Sequence, residues 1–374
     1  QPFQATTESY APSGNLPAVM YVWPSGRSTT LHKNKLLKDL GPLIRKDNYG
    51  ANFVPMAMDV KQFDSGYQSM IPLGVTATHV LYVNMEVLRQ VNLQPARTYA
   101  ELVAQVPTLR AAGKQTIIIP AQSDWVIQSC LFSMVAGRFG GADWHERVHA
   151  GRAKFTDPFF VNALAFIRQL FTDGVITQAS LGMDYGDGPG QFAAGNSAYY
   201  IDGDWRAGDF ITDPDTGRAL IPPARQGNFQ LTVFPEIPGA AINKTSSVIL
   251  GTGWAINAAI PSGSKREASA WELVKWLTGK ENGERGVVSG AWPNPSRTDL
   301  NTANLNIEPI LRTMGSFGQE WTTGTAVIDG VFEGPIYERL NDGLTEIGLG
   351  SKTPQQVAGE VQAEYDRWRA ANPR

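Results

Sequence analysis

The 374-residue chain contains one cysteine and four histidines, and only 18% of its residues are charged. Each shortage excludes something. Cys130 has no second thiol to pair with, and it lies in the apolar run Cys130-Leu131-Phe132, where a thiol serves as a small core residue rather than a nucleophile. A single cysteine fits a reducing or an oxidising compartment equally, so it leaves the compartment open. The net charge of −3, with no run of one sign, argues against a nucleic-acid binder, which needs a basic face. Charged residues fall below the usual quarter, so charge-driven disorder is excluded too. The sequence has no run of about 18 apolar residues, the length of a membrane span. It has no Walker loop and no Gly-x-Ser-x-Gly elbow. Gly186 to Gly190 is too broken by Pro189 for a dinucleotide loop, and Asp184 and Asp187 lack the spacing of a calcium loop.

Enough remains for a globular chain. Hydrophobic residues make up 42%, and the length predicts two domains, each able to bury a core. Val19 to Val22 reads as a buried strand ending at Trp23-Pro24, Val80 to Val83 as a second, and Gln115 to Pro120 as a third with β-branched residues. Tyr99 to Ala112 has helical spacing, with Thr98 and Glu101 in capping-box positions and Gly113 at its end. Further helices are expected at Glu86 to Val91, Pro158 to Thr172, Glu267 to Thr278 and Pro354 to Ala371, and Val248 to Asn257 reads as one long extended stretch. Strands alternating with helices predict α/β units with parallel sheets.

Ten tryptophans stand out, and their positions carry the functional reading. Ligand sites in open α/β folds gather at the carboxyl ends of strands. Trp23, Ser25 and Arg27 follow the Val19 strand. Gln122, Asp124 and Trp125 follow the Ile117 strand, and Asp202 and Trp205 follow the Tyr199 strand. Trp254 lies in the long extended stretch, Trp292 precedes Pro293, and Glu320-Trp321 is expected to open a helix. A sugar ring has an apolar C–H face and a rim of hydroxyls, so aromatic faces beside amides and carboxylates suit it. Core packing is the alternative for each tryptophan, above all for Trp254 and Trp292. Trp271, Trp276 and Trp368 sit at helical spacing and read as core or helix-surface residues.

The run from Phe192 through Gly195 and Ala198, then Gly203 to Trp205, resembles the sugar-binding subunits of bacterial ABC importers, the maltose-binding-protein-like extracellular solute-binding proteins. Ile71 to Gly74, Leu81 to Asn84, Leu93 to Leu102, Phe155 to Pro158, Gly253 to Asn257 and Ala268 to Leu277 match further family segments in order. The resemblance implies a two-lobe periplasmic-binding-protein-like fold of type II, each lobe a mostly parallel sheet flanked by helices. It implies one lobe from 1–75 and 254–308 and another from 76–253 and 309–374, with a hinge near 74–78, 251–253 and 309–315. It also implies a sugar or oligosaccharide ligand, ABC permease subunits as partners, no cofactor, a monomer, and a place in the periplasm or at the outer face of the cell membrane, with a lipid anchor before trimming. The resemblance implies an opening strand, a long helix and a second strand ahead of the residues given, and Phe3 to Ser13 is expected to be the helix that follows them. Pro17-Ala18-Val19 stands where the family has Pro-Asp-Val, which puts the local hydrogen bonding there in question.

Two rivals compete. Asp202 and Asp204 could serve a glycan hydrolase as acid and base, although they make a poor pair. His145-Glu146-Arg147-Val148-His149 matches the zinc motif His-Glu-x-x-His in form. Gly151 shortens its helix and no later histidine supplies a third ligand, so a polar surface turn is the expectation. A non-sugar solute, a peptide or polyamine, is the remaining alternative for the same fold. His32 and His79 have no evident chemical role.

Overall fold

The computed structural model describes residues 10–11, 15–24, 28–318 and 320–372. Of the expected Phe3–Ser13 helix, only Tyr10 and Ala11 lie within the described residues. The strands are β1 (Val19–Val22), β2 (Ile71–Pro72), β3 (Val75–Ala77), β4 (Val80–Asn84), β5 (Gln115–Ile118), β6 (Ser197–Asp202), β7 (Phe229–Thr232), β8 (Thr245–Leu250), β9 (Gly253–Ile256) and β10 (Thr323–Ala326). The chain makes two compact units. Unit 1 takes the chain up to Thr76 and Ile249–Ile307, and unit 2 takes Ala77–Val248 and the chain from Glu308. Strands β3 and β8 each run through a point where the chain passes from one unit to the other.

In unit 1 the sheet order is β1-β9-β2, with β9 antiparallel to both neighbours. Side chains alternate across β1, so Met20 and Val22 enter the core while Tyr21 stays half-buried on the other face. This corrects the expectation of a wholly buried strand there. Leu37, Leu40, Met70, Ile71, Ile256 and Val274 fill the core beside it. The helix Lys265–Leu277 begins where Ser264 Oγ accepts the Glu267 N–H at 3.1 Å. Its Trp271 is buried and donates Nε1–H to Asp47 Oδ2 at 2.8 Å. Ala18 carries no carboxylate, and its backbone oxygen accepts the Asn257 N–H at 3.0 Å.

Unit 2 holds the sheet β5-β6-β4-β7. β5 runs parallel to β6, whereas β4 is antiparallel to β6 and to β7; a separate pair, β8 and β10, is parallel. Strand direction is therefore mixed within the α/β architecture. A strand–helix–strand unit enforces parallel pairing only between the strands it joins, and β4 pairs with strands far along the chain. Every residue of β4 and β6 is buried; Leu81, Val83, Tyr199 and Ile201 join the core with helices Tyr99–Ala111, Ser133–Gly140, Pro158–Thr172 and Gly334–Leu349, while Tyr82 and Tyr200 pack on Phe192 and Phe210. Capping boxes at Thr98/Glu101 and Thr353/Gln356 open Tyr99–Ala111 and Pro354–Ala371.

Two buried polar side chains organise this core. Arg138 donates to the Phe234 and Pro235 carbonyls, both at 2.8 Å, and to Thr245 Oγ1 at 3.1 Å. His79 accepts the Phe234 N–H on Nε2 at 3.1 Å, which leaves Nδ1 to donate to the Cys130 carbonyl at 2.8 Å. Burial pushes the His79 imidazole down to about 3, so it is neutral. No helix among the described residues is long and apolar enough to cross a membrane.

Candidate functional site

The densest group of sequence-selected residues lies in unit 2, where β5 and β6 end. Gly195, at φ +75°, turns the chain out of the Asp187–Ala193 helix and into β6. β6 ends at Asp202, and Gly203 follows. A Cβ at 203 would lie 2.2 Å from carbons of the Trp205 ring, so the indole rests on bare backbone that only glycine leaves free. Trp205 and Trp125 are both half-buried, with ring centroids 6.3 Å apart and planes at 44°. Gln122 and Asp124 are exposed on the loop before Trp125.

A polar chain runs behind these rings. Trp205 donates Nε1–H to Tyr185 Oη at 2.8 Å, and Tyr185 Oη donates to Asp202 Oδ1 at 3.2 Å. Asp202 is fully buried. It also accepts the Gly203 N–H at 2.8 Å, Tyr200 Oη–H at 2.6 Å and Arg206 Nε–H at 3.1 Å, with Cys130 Sγ 3.6 Å away. Burial raises the Asp202 carboxyl, opposed by Arg206 and by the Tyr200 and Gly203 hydrogen bonds. Burial would lower Arg206, but Asp202 beside it holds the guanidinium above its ordinary value. The carboxyl oxygens face donors on every side, which is the surrounding of an ion and not of a neutral acid. Arg206 lies 3.7 Å over the Tyr185 ring, and Trp125 meets that ring edge-on at 5.0 Å. Tyr185 and Arg206 escaped the sequence reading. Arg206 had a signal, since it stands four residues from Asp202. Tyr185 had none, because its partners come from other segments.

Unit 1 carries its own aromatic group. Tyr21 of β1 and Trp23, just past the strand's end, have rings 6.1 Å apart. Tyr21 is paired with Trp254 on β9, ring to ring at 5.3 Å. Trp23 is held by its backbone. Its N–H donates to Ser28 Oγ at 3.1 Å, and its carbonyl accepts His32 Nε2–H at 2.7 Å. Ser69 Oγ then donates to His32 Nδ1 at 3.0 Å. Ser25 and Arg27 lie outside the described residues.

The remaining candidates separate. Trp292 packs on glycine backbone: Cβ atoms at Gly74, Gly251 and Gly286 would stand 3.3, 3.3 and 2.6 Å from its ring. Glu320 is exposed, and Trp321 lies beside Gly324 with its Nε1 buried. The helix expected from Glu320-Trp321 is instead the approach to β10, whose Thr323 to Ala326 pair with β8. The extended stretch at Val248–Asn257 is two strands, broken at Gly251-Thr252. Asp204 is buried at the first turn after β6, and its Oδ2 accepts the Ala77 N–H at 2.9 Å. The zinc-like motif forms the short helix Trp144–His149, not a surface turn. His149 Nε2 donates to the Val331 carbonyl at 2.8 Å, and its ring stacks on Phe332 at 4.6 Å. Among the described residues no cluster of three or more histidines, cysteines and carboxylates could hold a metal ion.

This architecture is shared with solved structures. A protein from work on xylan utilisation by the thermophilic bacterium Caldanaerobius polysaccharolyticus is 18% identical, at a TM-score of 0.84 over 97% of this chain and 89% of its own. A chitin oligosaccharide binding protein is also 18% identical, at a TM-score of 0.81 over 98% and 88%. The maltose/maltodextrin-binding domain from Bdellovibrio bacteriovorus, bound to maltotriose, is 20% identical, at 0.70 over 98% and 89%. The shared fold is the two-lobed type II periplasmic-binding-protein architecture. No curated protein matches the chain in sequence. The family model for bacterial extracellular solute-binding proteins matches residues 7–284, most of the chain, and the protein belongs to that family.

Proposed function

We propose that the protein is an extracytoplasmic receptor that captures a sugar or oligosaccharide and delivers it to the permease of an ABC importer. The observation that carries this reading is the pair of half-buried rings, Trp125 and Trp205, at the ends of β5 and β6. Flat apolar faces beside the exposed Gln122 and Asp124 match the two chemistries of a sugar, its C–H face and its hydroxyl rim. The named carbohydrates of the similar structures, xylan, chitin oligosaccharide and maltotriose, support the same class. Tyr21, Trp23 and Trp254 of unit 1 are further sugar contacts in this reading. So are Ser25, Arg27 and Trp321, while Trp292 and Asp202 serve the frame.

No chemical step is involved. Ligand binding favours one arrangement of the two units about the points where the chain passes between them, and the permease reads that arrangement. The receptor works as a monomer, in the periplasm or held at the outer face of the cell membrane by a lipid anchor.

A thermal-shift screen against mono- and oligosaccharides, followed by calorimetry, tests the proposal. A ligand that binds only the folded chain at 100 times its Kd adds about 2.7 kcal/mol of stability, so a true ligand raises the melting temperature visibly. The expected result is a rise with at least one sugar that Trp205→Ala abolishes. A cooperative melt that no sugar moves would overturn the sugar assignment.

A further inference from the structure

Tyr185 sits where the polar chain and the aromatic wall meet. A phenol has one donor and two acceptor positions. Here the donor goes to Asp202 Oδ1 and an acceptor takes the Trp205 indole N–H. One face of its ring is covered by Arg206 at 3.7 Å, and Trp125 approaches its edge. Arg206 is fixed in turn by Asp202, by Asp209 Oδ2 at 2.7 Å and by the Tyr185 carbonyl at 2.7 Å. The indole has a single polar atom, and it is used internally.

We infer that Tyr185 is a positioning residue that fixes the plane of Trp205 and withdraws its N–H from the ligand, so that this wall reads the ring face of a sugar and not the orientation of its hydroxyls. The inference deepens the sugar-receptor reading and rests on it for its ligand. Trp205 then contributes affinity without stereochemical discrimination. Discrimination falls to other polar groups, such as Gln122 and Asp124 on the adjoining loop. A wall of this kind suits a pyranose unit that presents an unbroken C–H face, and it accepts epimers that differ only at the rim.

The first test needs no ligand. In the indole region of the NMR spectrum, the Trp205 N–H signal is assigned by its loss in Trp205→Phe. It should exchange slowly with solvent in the native chain and at least tenfold faster in Tyr185→Phe. Fast exchange in the native chain would overturn the positioning role. The second test uses whichever sugar raises the melting temperature, together with its epimers and deoxy forms. Tyr185→Phe should weaken all of them by a common factor of about three to ten, the worth of one hydrogen bond held in place, and Trp205→Phe should leave their order of affinity unchanged. A loss confined to ligands with a hydroxyl at one ring position would mean that Tyr185 Oη or Trp205 Nε1 touches the ligand, and would overturn the inference. If no sugar binds the native chain, the sugar reading fails, and the exchange measurement still decides the positioning role.

Discussion

The aromatic groups of the two units are built by different means. In unit 2 the rings are held through their own polar atoms, from Trp205 Nε1 through Tyr185 to a buried carboxylate clamped by Arg206. In unit 1 backbone pairing carries more of the holding, joined by a hydrogen bond from Thr252 Oγ1 to Tyr21 Oη. Strand pairing sets Tyr21 against Trp254, and His32 ties down the carbonyl of Trp23. The first design ties ring orientation to a buried ion pair, so damage to the pair reaches the rings. The second divides the load over strand pairing and single hydrogen bonds, so no one side chain controls the group.

The largest effect expected from this contrast comes from Arg206→Ala. It leaves Asp202 buried without its cation, and such losses cost about 3–5 kcal/mol. Urea unfolding should show that loss, whereas Asp202→Asn together with Arg206→Met should recover part of it; equal damage in both variants would refute the ion pair as the support. The next is acid sensitivity. His79 is neutral in the fold, with its affinity for protons pushed down to about 3, while the unfolded chain takes up a proton near the ordinary value of about 6.5. Folding therefore loses stability as pH falls through that window, by up to about 1.4 kcal/mol per pH unit. Burial lowers His32 in unit 1 as well, so it adds to the same trend. His79→Gln should flatten the profile, and an unchanged slope would contradict the assignment. Smaller is Gly203→Ala. The new methyl displaces the Trp205 ring at about 1–3 kcal/mol, and calorimetry should show binding fall further than stability alone explains. The smallest is Ser69→Ala in unit 1, which removes one hydrogen bond to His32 for about 1 kcal/mol. It should leave affinity nearly unchanged, and a large loss of affinity would erase the contrast between the units.

How much of this was legible in the sequence follows from the range of each interaction. Thr98 with Glu101, the proline-opened helix at Pro158 and the glycine-then-tryptophan end of β6 are local arrangements, and the structure places them where their spacing predicts. Long-range partners were not legible. Thr323 to Ala326 carry β-branched residues, yet what makes them a strand is β8, some way back along the chain. Trp292 and Trp205 look alike as residues before or after a turn. Both are half-buried, but Trp292 rests on Gly286 and on Gly74 and Gly251, brought to it from other parts of the chain, and Trp205 on Gly203, two residues before it. Tyr185 lies in a glycine-rich stretch with no periodicity, and only tertiary structure brings Asp202, Trp205 and Trp125 to it.

Trp292 rests on Gly74 and Gly251, and each of these glycines lies close in sequence to a point where the chain passes from one unit to the other. A backbone rotation at Gly74 or Gly251 itself changes the surroundings of a single indole. A variant that keeps Trp292 as its only tryptophan would thus carry a built-in optical gauge, whose emission changes when the chain rotates there and stays constant when it does not.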